Sequence, residues 1–423
     1  MRTPSEWEDL LHIEPGFLDL ERRIRTGEIA DYAQIPPSSF SWHAWDLIPP
    51  ERLFDLILPF LRSQLARACR SLPEIYASTF AGSNPVALHN QADWQRVPIL
   101  VKDDLPAHGL RGFRSAVMRD PFVLRPNDLR TSTATFGSGG SFGPHTPTFV
   151  TLADRNREIS AWRRGHDLHG LTPGDRALYT YNTTHKGGQW MQESLWAHGI
   201  DVHLRRPEED AAHVLENIAV YNINALFTVQ QPKAALQLQN KAAGINLHSL
   251  IAASLEEPRF HGLLLPDDQG HRQIQFIFLG GFEIVPYAME LVEGYLDSVP
   301  VATLLGSSEA IPQACSTNPT LTPGAACHHN NLHLLQGPHF VEVVKPDNDA
   351  WIPVEKGEQG LLVYTSWARD GTLWIRYSPG DLATRELDAG ECPCGLQSPV
   401  ISNVHRQSLT DREALLVEGC AAG

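Results

Sequence analysis

The pattern of apolar and polar residues changes in character along the chain. Residues 1–95 carry apolar residues at helical spacing, most clearly in ERLFDLILPFLRSQLARACRSL at 51–72, and are predicted to be mainly helical. From about residue 96, short apolar runs alternate with helical patterns. Beyond 332 the apolar runs are short and separated by turn residues. The pattern predicts four regions: helical at 1–95, an α/β core at 96–331, a β-rich subdomain at 332–405, and a tail at 406–423.

The core region predicts an α/β sheet with helices on its faces. Buried strands are expected in RALYTYN, NALFTV, IQFIFLGG and VATLLG, and helices in TLADRNREISAWRRGHDLHG and PYAMELVEGYLDS. Strands that alternate with helices in this way are typical of α/β folds. The later stretches LHLLQGPHFVEVV, QGLLVYTSW and TLWIRYSPGDLATREL predict the strands of the smaller β subdomain.

Composition excludes several classes of protein. The chain has 423 residues, 42% of them hydrophobic and 20% charged, with a net charge of −15, which argues against a nucleic-acid-binding protein. The chain has no window of 18 uncharged apolar residues, so no membrane span is predicted. The N-terminus lacks the apolar core of a signal peptide. The six cysteines are therefore expected to be reduced thiols or metal ligands in the cytoplasm.

The first candidate site is the Gly-rich stretch TATFGSGGSFGPHTPTF at 133–149. Its glycines permit close approach of the backbone to a ligand, and successive N–H groups in such a turn form an anion-binding concavity. The stretch has neither the Gly-Lys-Ser/Thr of a P-loop nor the third glycine of the dinucleotide fingerprint. A phosphate-binding loop and a plain turn both stay open on this evidence.

Two further motifs place polar residues at strand ends. In LLGSSEA, Ser307 or Ser308 is a candidate phosphate contact and Glu309 a candidate Mg²⁺ ligand, because Mg²⁺ prefers oxygen. The alternative is a helix cap at Ser308. In WIRYSPGDLA, Asp381 is placed to accept from ribose hydroxyls, and the alternative is a turn Asp that caps its own backbone.

Taken together, the motifs resemble those of the ANL superfamily of adenylate-forming enzymes. The order is a Thr/Ser-rich Gly loop, then G-S-S-E, then R-Y-x-x-G-D. VPILVKDDL and ECPCGLQSPVI are similar to the phenylacetate-CoA ligase branch, FIFLGGFE resembles its adenine-contacting strand end, and YTYNTTHKGGQW its acyl-pocket segment. The resemblance covers about residues 97–406. It implies an α/β fold, the large N-terminal ANL domain with its smaller β subdomain, and activation of an aromatic or other apolar acid with ATP and Mg²⁺.

The resemblance also implies roles for individual residues. Those expected to wrap the β- and γ-phosphates of ATP are Thr135, Gly137, Ser138, Gly139 and Gly140. Those expected around the rest of the nucleotide are Gly280, Gly281 and Phe282 at the adenine, Ser308 at the α-phosphate, Glu309 at Mg²⁺, and Asp381 at the ribose with Arg376 in its supporting motif. Those expected to border the carboxylate substrate are Tyr181, His185, Gly187 and Gly188. Ser308, Glu309 and His185 are also the candidate catalytic groups of the adenylation site.

The sequence departs from the family pattern in several places. The lysine usual near the position of Ser141 is missing, Leu305 replaces an aromatic residue, and His405 replaces the hinge glycine. The small C-terminal domain is expected to be absent, and with it the catalytic lysine and the surface that admits CoA. A CoA or carrier-protein ligase with that domain supplied in trans, and a non-catalytic nucleotide-binding homologue, both remain alternatives.

Two further residues bear on catalysis, one on acyl transfer and one on adenylation. The tail VEGCAAG resembles that of the acyl-protein synthetase of fatty-acid reductase complexes, which implies that the Cys420 thiol accepts the acyl group and that a reductase or other acceptor protein is a partner. The alternative is an inert tail cysteine. Lys186 is expected to be solvated, with the alternative that it replaces the charge of the missing lysine.

The remaining cysteines suggest a metal site. Cys327 lies six residues before His333, and ECPC supplies Cys392 and Cys394. Three thiolates and one imidazole match the requirements of tetrahedral Zn²⁺, and some phenylacetate-CoA ligase-like proteins have similar pairs around a structural zinc. Thiols without a metal, and a set that includes Cys315, His328 or His329, stay open.

Overall fold

The computed structural model describes residues 15–76, 79–80, 82–102, 105, 132–137, 146–181, 183, 186–206, 208–229, 245–280, 286–296, 299–319, 321 and 324–406. The chain divides into two compact units. We call 165–306 with 314–332 the parallel unit, and 2–164 with 307–313 and 333–423 the mixed unit, after the strands that each contains. Each name refers only to those residues of the unit that the structure describes.

Helices occupy much of the first three hundred residues. The α-helices are α1 (Pro15–Arg25), α2 (Ala44–Leu47), α3 (Pro50–Ser71), α4 (Pro73–Tyr76), α5 (Gln91–Gln95), α6 (Leu152–Leu168), α7 (Lys186–His198), α8 (Ala211–Val220), α9 (Leu247–Glu256) and α10 (Pro286–Tyr295). Among the described helices, none is both long and apolar enough to cross a bilayer.

Strands run from residue 100 to residue 406. They are β1 (Leu100–Val101), β2 (Ser132–Gly137), β3 (Pro147–Thr151), β4 (Arg176–Tyr179), β5 (Asp201–Leu204), β6 (Ala225–Val229), β7 (Phe276–Gly280), β8 (Val301–Leu305), β9 (Ala314–Cys315), β10 (Leu332–Leu334), β11 (Phe340–Asp347), β12 (Ala350–Pro353), β13 (Gln359–Thr365), β14 (Tyr377–Ser378), β15 (Asp381–Leu387) and β16 (Val400–Arg406).

The parallel unit is built on five parallel strands in the order β5, β4, β6, β7, β8, with β9 antiparallel to β8. Every residue of β7 and β8 is buried, as expected for continuous apolar runs in a parallel sheet. The strands share a core with α8, α9 and α10, which includes Ile218, Leu226, Leu250, Ile277, Val292 and Val301. The four strands predicted here and helix α10 are confirmed, the other predicted helix is found as α6 at Leu152–Leu168, and the α/β fold class is confirmed.

The mixed unit carries antiparallel strands. β13 pairs with β11, β14 and β15, β15 pairs with β16, and β11 pairs with β12, whereas β1 is parallel to β14. Strands β2 and β3 form a separate antiparallel pair. The core of the larger group comprises Ile99, Val344, Leu361, Val363 and Leu382. Beyond residue 332, all of the described helices and strands are strands, whereas the boundaries of the four predicted regions stay predictions.

The N-terminal helices belong to the same unit as these strands. Helix α3 buries apolar residues along one face, among them Phe60, whose ring stacks on that of Trp367 at 5.4 Å between centroids. The amide of Gln64, fully buried on α3, donates to the carbonyls of Trp367 at 3.1 Å and Arg369 at 2.7 Å. The helical interpretation of the described N-terminal residues is confirmed, and these contacts join α3 to the segment that follows β13.

Candidate active site

The Gly-rich stretch begins and ends in the paired strands β2 and β3. Thr135 pairs with Phe149 and Gly137 with Pro147, and both Thr135 and Gly137 are exposed. Ser138, Gly139 and Gly140, which join the two strands, lie outside the described residues. The structure therefore places Thr135 within β2 and Gly137 at the end of β2 from which the chain leads to β3.

The base of this pair is fixed by a turn at residues 369–372. The N–H of Phe149 donates to Thr372 Oγ1 at 2.9 Å, and the Thr372 N–H donates back to the Phe149 carbonyl at 3.0 Å. Asp154, at the start of α6, accepts from the N–H groups of Asp370 at 2.7 Å and Gly371 at 2.9 Å. A Cβ on Gly371 would overlap the Phe149 carbonyl, so this close approach requires glycine.

The segment G-S-S-E-A forms a closed turn and not a helix cap. The hydroxyl oxygen of Ser307 accepts from the Ala310 N–H at 3.2 Å and from Gln313 Nε2 at 3.1 Å, and the Ser307 N–H donates to the Ala310 carbonyl at 2.9 Å. No helix follows within residues 306–313. The interpretation of Ser308 as a helix N-cap is therefore wrong, because the turn is closed by its neighbour Ser307.

The two residues predicted to act from this turn are buried. Ser308 is 4% exposed and Glu309 2% exposed. The Tyr364 hydroxyl lies 3.5 Å from Ser307 Oγ. Burial raises the pKa of Tyr364 well above its usual value, and the nearby negative charge of Glu309 adds to that increase. The Glu309 carboxyl group thus lies in a confined, largely dehydrated place.

Asp381 and Arg376 lie on either side of a tight turn. Asp381 is buried and begins β15, directly after Gly380 at a φ of +92°. Arg376 is fully buried, and its Nη1 donates to the carbonyls of Gln95 at 2.9 Å and Val97 at 2.7 Å. Burial lowers the pKa of Arg376. Its guanidinium fastens the segment before β1 to the strands that carry Asp381.

In the parallel unit, two predicted site residues are in direct contact. Gly280 is the last residue of β7, and a Cβ there would overlap the ring and hydroxyl of Tyr181. Burial raises the pKa of Tyr181 well above its usual value. The ring of Tyr179 lies 5.3 Å from that of Tyr181, and its hydroxyl donates to the Gly188 carbonyl. The strand end assigned to adenine and the segment assigned to the acid therefore meet.

The other predicted residues of this unit are only partly described. Gly187 and Gly188 lie in the first turn of α7, whereas His185, Gly281 and Phe282 lie outside the described residues, as does Cys420. Lys186 begins α7 and is fully buried, with its Nζ 5.7 Å from the centroid of the Trp190 ring. The expectation of a solvated Lys186 is wrong, because the lysine packs along the helix against Trp190.

A buried charged cluster was not anticipated from the sequence. The side chains of Arg369, Glu158 and His339 are 1%, 2% and 1% exposed. Glu158 Oε1 lies 3.5 Å from Arg369 Nη1 and 3.2 Å from His339 Nε2. The guanidinium of Arg369 donates to the Glu309 carbonyl. The only sequence signal was a charged pair, Arg369 and Asp370, inside an otherwise apolar stretch.

The residues predicted to bind zinc are all buried, Cys327 in the parallel unit and His333, Cys392 and Cys394 in the mixed unit. Ligand atoms of the three residues in the mixed unit lie within 4.8 Å of one another. His333 Nε2 is 3.1 Å from Cys394 Sγ, while His333 Nδ1 lies 2.9 Å from the Ser398 carbonyl. Such a bond at one ring nitrogen orients the other toward a metal. Cys315, His328 and His329 do not belong to this group of described residues.

Comparison with known proteins gives a consistent picture of the fold. No family model matches the sequence, and no curated protein matches it significantly. Among solved structures, 2-hydroxyisobutyryl-CoA ligase in the postadenylation state with 2-HIB-AMP matches with a TM-score of 0.64, at 20% identity over 88% of this chain and 71% of that chain. Its open conformation with 2-HIB-AMP and CoA matches with a TM-score of 0.64, at 19% identity over 88% and 79%.

A third structure of this ligase, with 2-HIB-AMP and CoA in the thioesterification state, also has a TM-score of 0.64, at 20% identity over 88% of this chain and 73% of that chain. At such identities the likeness concerns the fold. The likeness covers most of the chain and agrees with the motif order found in the sequence. The chain therefore has the fold of 2-hydroxyisobutyryl-CoA ligase over most of its length.

Proposed function

We propose that this protein uses ATP and Mg²⁺ to activate a carboxylic acid as an acyl-adenylate. One observation carries the proposal: the guanidinium of Arg369 contacts both the Glu309 carbonyl and, at 3.5 Å, the Phe149 carbonyl of β3. The turn predicted to bind Mg²⁺ and the strand that leaves the Gly-rich stretch are thus held by one side chain. The solved structures with this fold that contain 2-HIB-AMP support the same chemistry.

The mixed unit supplies the groups for the phosphates. Thr135 and Gly137, with Ser138, Gly139 and Gly140 beyond them, hold the β- and γ-phosphates through hydroxyl and backbone N–H donors. The hydroxyl of Ser307 closes its own turn, and the neighbouring Ser308 is the proposed contact of the α-phosphate. The Glu309 carboxylate is the oxygen ligand for Mg²⁺, and Mg²⁺, when bound, neutralises phosphate charge.

The remaining nucleotide and substrate contacts come from strand ends and from the start of α7. Asp381 accepts from the ribose hydroxyls, and Arg376 holds its strands in place through the carbonyls of residues 95 and 97. The adenine lies against Gly280, Gly281 and Phe282. An aromatic or other apolar acid lies beside Tyr181, His185, Gly187 and Gly188.

The reaction needs little proton transfer. A carboxylic acid is already ionised at neutral pH, so its oxygen attacks the α-phosphorus, the bond between that phosphorus and the bridging oxygen breaks, and pyrophosphate leaves. The protein contributes by alignment of the two reactants and by stabilisation of charge in the transition state. Buried Ser308 and Glu309, in a turn fixed by Ser307, suit both tasks.

The acyl group then passes from the adenylate to a thiol or amine, with release of AMP. Cys420, or a thiol or amine of a partner protein such as a reductase, is the proposed acceptor in a biosynthetic pathway. A second candidate is CoA, because solved structures with this fold contain CoA beside the adenylate.

The four-residue group of Cys327, His333, Cys392 and Cys394 is proposed to bind a structural Zn²⁺. Three thiolates and one imidazole would fill the four ligand positions of a structural zinc, and the metal would hold these segments together without a catalytic role. The contact of His333 with the Ser398 carbonyl supplies the outer-shell bond that such a ligand normally has.

The test of adenylation is acid-dependent exchange of labelled pyrophosphate into ATP, across a panel of aryl and fatty acids. Glu309→Gln is expected to lower the exchange rate by roughly a hundredfold, the scale for removal of one charge-stabilising group. Glu256→Gln, at an exposed position on α9, is the matched control. If no acid in the panel supports exchange, the proposal is contradicted, and a nucleotide-binding homologue without catalysis is favoured.

A further inference from the structure

A layer of buried charge lies behind the groups proposed to hold Mg²⁺ and phosphate. Its centre is Arg369, whose side chain is 1% exposed. Nη1 donates to the carbonyl of Glu309 and Nη2 lies 3.5 Å from the carbonyl of Phe149. These two carbonyls belong to different site elements, the G-S-S-E turn and the strand that leaves the Gly-rich stretch. One guanidinium therefore fixes the main chain of both.

The guanidinium is itself held in place. Glu158 Oε1 lies 3.5 Å from Arg369 Nη1 and 3.2 Å from His339 Nε2, and His339 Nδ1 lies 3.0 Å from Ser366 Oγ. The main-chain carbonyl of Arg369 accepts from Gln64 at 2.7 Å. Both ends of the residue are thus anchored, so its position is set by contacts on opposite sides.

The turn around Arg369 is in contact with the same strand through its backbone. The Phe149 carbonyl that faces Arg369 also accepts from the Thr372 N–H at 3.0 Å. A planar guanidinium can donate to two carbonyls and face a carboxylate at the same time, whereas the ammonium of lysine is a point charge and cannot reproduce that geometry. The arrangement therefore depends on arginine in particular, not on positive charge alone.

We propose that Arg369 is a positioning residue of the adenylation site, which sets the affinity for Mg²⁺ and MgATP through Glu309 and β3. The inference rests on the function proposed above and extends it to a residue that touches neither metal nor substrate. A shift of the Glu309 main chain displaces its carboxylate, and small displacements of aligned groups have large effects on catalysis. Glu158 acts one step further away, because it orients the guanidinium.

The test combines equilibrium binding of MgATP, by calorimetry at several Mg²⁺ concentrations, with the exchange assay. Arg369→Lys is expected to raise the Mg²⁺ concentration for half-maximal MgATP binding roughly tenfold, as is typical when an outer-shell partner is lost. The KM for the acid is expected to stay within about twofold. The described contacts of the Arg369 side chain are with the main chain of Glu309 and Phe149 and with buried Glu158, and none of these is proposed to touch the acid. Glu158→Gln keeps Arg369 and replaces Glu158 with a side chain of the same volume. It should shift the Mg²⁺ midpoint of MgATP binding in the same direction, by a smaller amount.

Arg157→Lys is the matched control. Arg157 precedes Glu158 on α6, and its Nη1 lies 3.3 Å from Asp370 on the same turn, but its described contacts do not include Glu309. It is expected to lower the melting temperature without a shift in the Mg²⁺ midpoint. The inference is overturned if Arg369→Lys and Glu158→Gln keep the wild-type midpoint, or if Arg157→Lys shifts it equally. Wild-type protein that shows no acid-dependent exchange refutes instead the function on which the inference rests, while the binding measurement still reports on Arg369.

Discussion

The contact between Gly280 and Tyr181 gives a sharp prediction about the strand end proposed to face adenine. Gly280 is buried at the end of β7, where it pairs with Val229 on one side and Leu304 on the other. Its φ is not in the positive range that favours glycine, so alanine brings no backbone strain. The added methyl group would nevertheless occupy the space of the Tyr181 ring.

The loss of stability in Gly280→Ala depends on whether the strands beside β7 or the Tyr181 ring must move. Strand β7 is flanked by two hydrogen-bonded strands, so the ring of Tyr181 must shift instead. Forcing an extra methyl into a packed site usually costs about 1–3 kcal/mol. The three atoms nearest to the added methyl all belong to Tyr181. When Tyr181 is alanine, Gly280→Ala should therefore change the free energy of unfolding by less than about 0.5 kcal/mol, the usual scale for sites that do not interact.

The assay is a double-mutant cycle with Gly280→Ala, Tyr181→Ala and the double variant, followed by denaturant unfolding. We expect Gly280→Ala to destabilise the wild type by about 2 kcal/mol and to have almost no effect when Tyr181 is already alanine. Exchange activity should fall in Gly280→Ala, because the displaced ring narrows the place proposed for the nucleotide. An equal cost of Gly280→Ala in both backgrounds would refute the contact.

Three further predictions concern other parts of the chain. Burial lowers the pKa of His169 from 6.5 to about 4, although its bond to the Ser316 carbonyl opposes the shift. The contribution of His169 to the free energy of unfolding is therefore fully present above pH 6.5 and falls by about 3 kcal/mol as the pH drops to 4. In acid unfolding, His169→Gln should remove this pH dependence. Cys392→Ser is expected to lose the bound zinc in metal analysis, whereas Cys69→Ser, outside the metal group, should retain it, and a metal-free wild type would contradict the site. Cys420→Ser should keep exchange but lose covalent acyl label in mass spectrometry, and label on that variant would exclude Cys420 as the acceptor.

The sequence predicted the parts of the fold that depend on local pattern. Strands β7 and β8 are continuous apolar runs, and burial on all sides requires that composition. Strand β5 was missed because Asp201 and His203 alternate with apolar residues in only four positions, which is too short a pattern to distinguish from a loop. The set of Cys327, His333, Cys392 and Cys394 was suggested by residue type together with the family resemblance, and the sequence left open thiols without a metal and other ligand sets.

The missed features depend on contacts between distant parts of the chain. Arg369 bonds to a carbonyl 60 residues away and lies near another 220 residues away, so no local pattern reveals it. Lys186 was expected to be solvated because lysine side chains are rarely buried, yet it is buried against Trp190. Ser308 resembles a helix cap until the structure shows Ser307 closing a turn. In each case tertiary packing overrides local propensity.

The most direct test of acyl-adenylate formation follows the oxygen atoms of the acid. A substrate acid found by exchange, labelled with heavy oxygen in its carboxylate, is incubated with the protein, ATP, Mg²⁺ and a thiol acceptor, and the products are analysed by mass spectrometry. Attack of the carboxylate on the α-phosphorus predicts AMP that carries one labelled oxygen, with unlabelled pyrophosphate. Labelled inorganic phosphate with ADP would mean attack on the γ-phosphorus and would contradict the mechanism proposed for Ser308, Glu309 and Asp381.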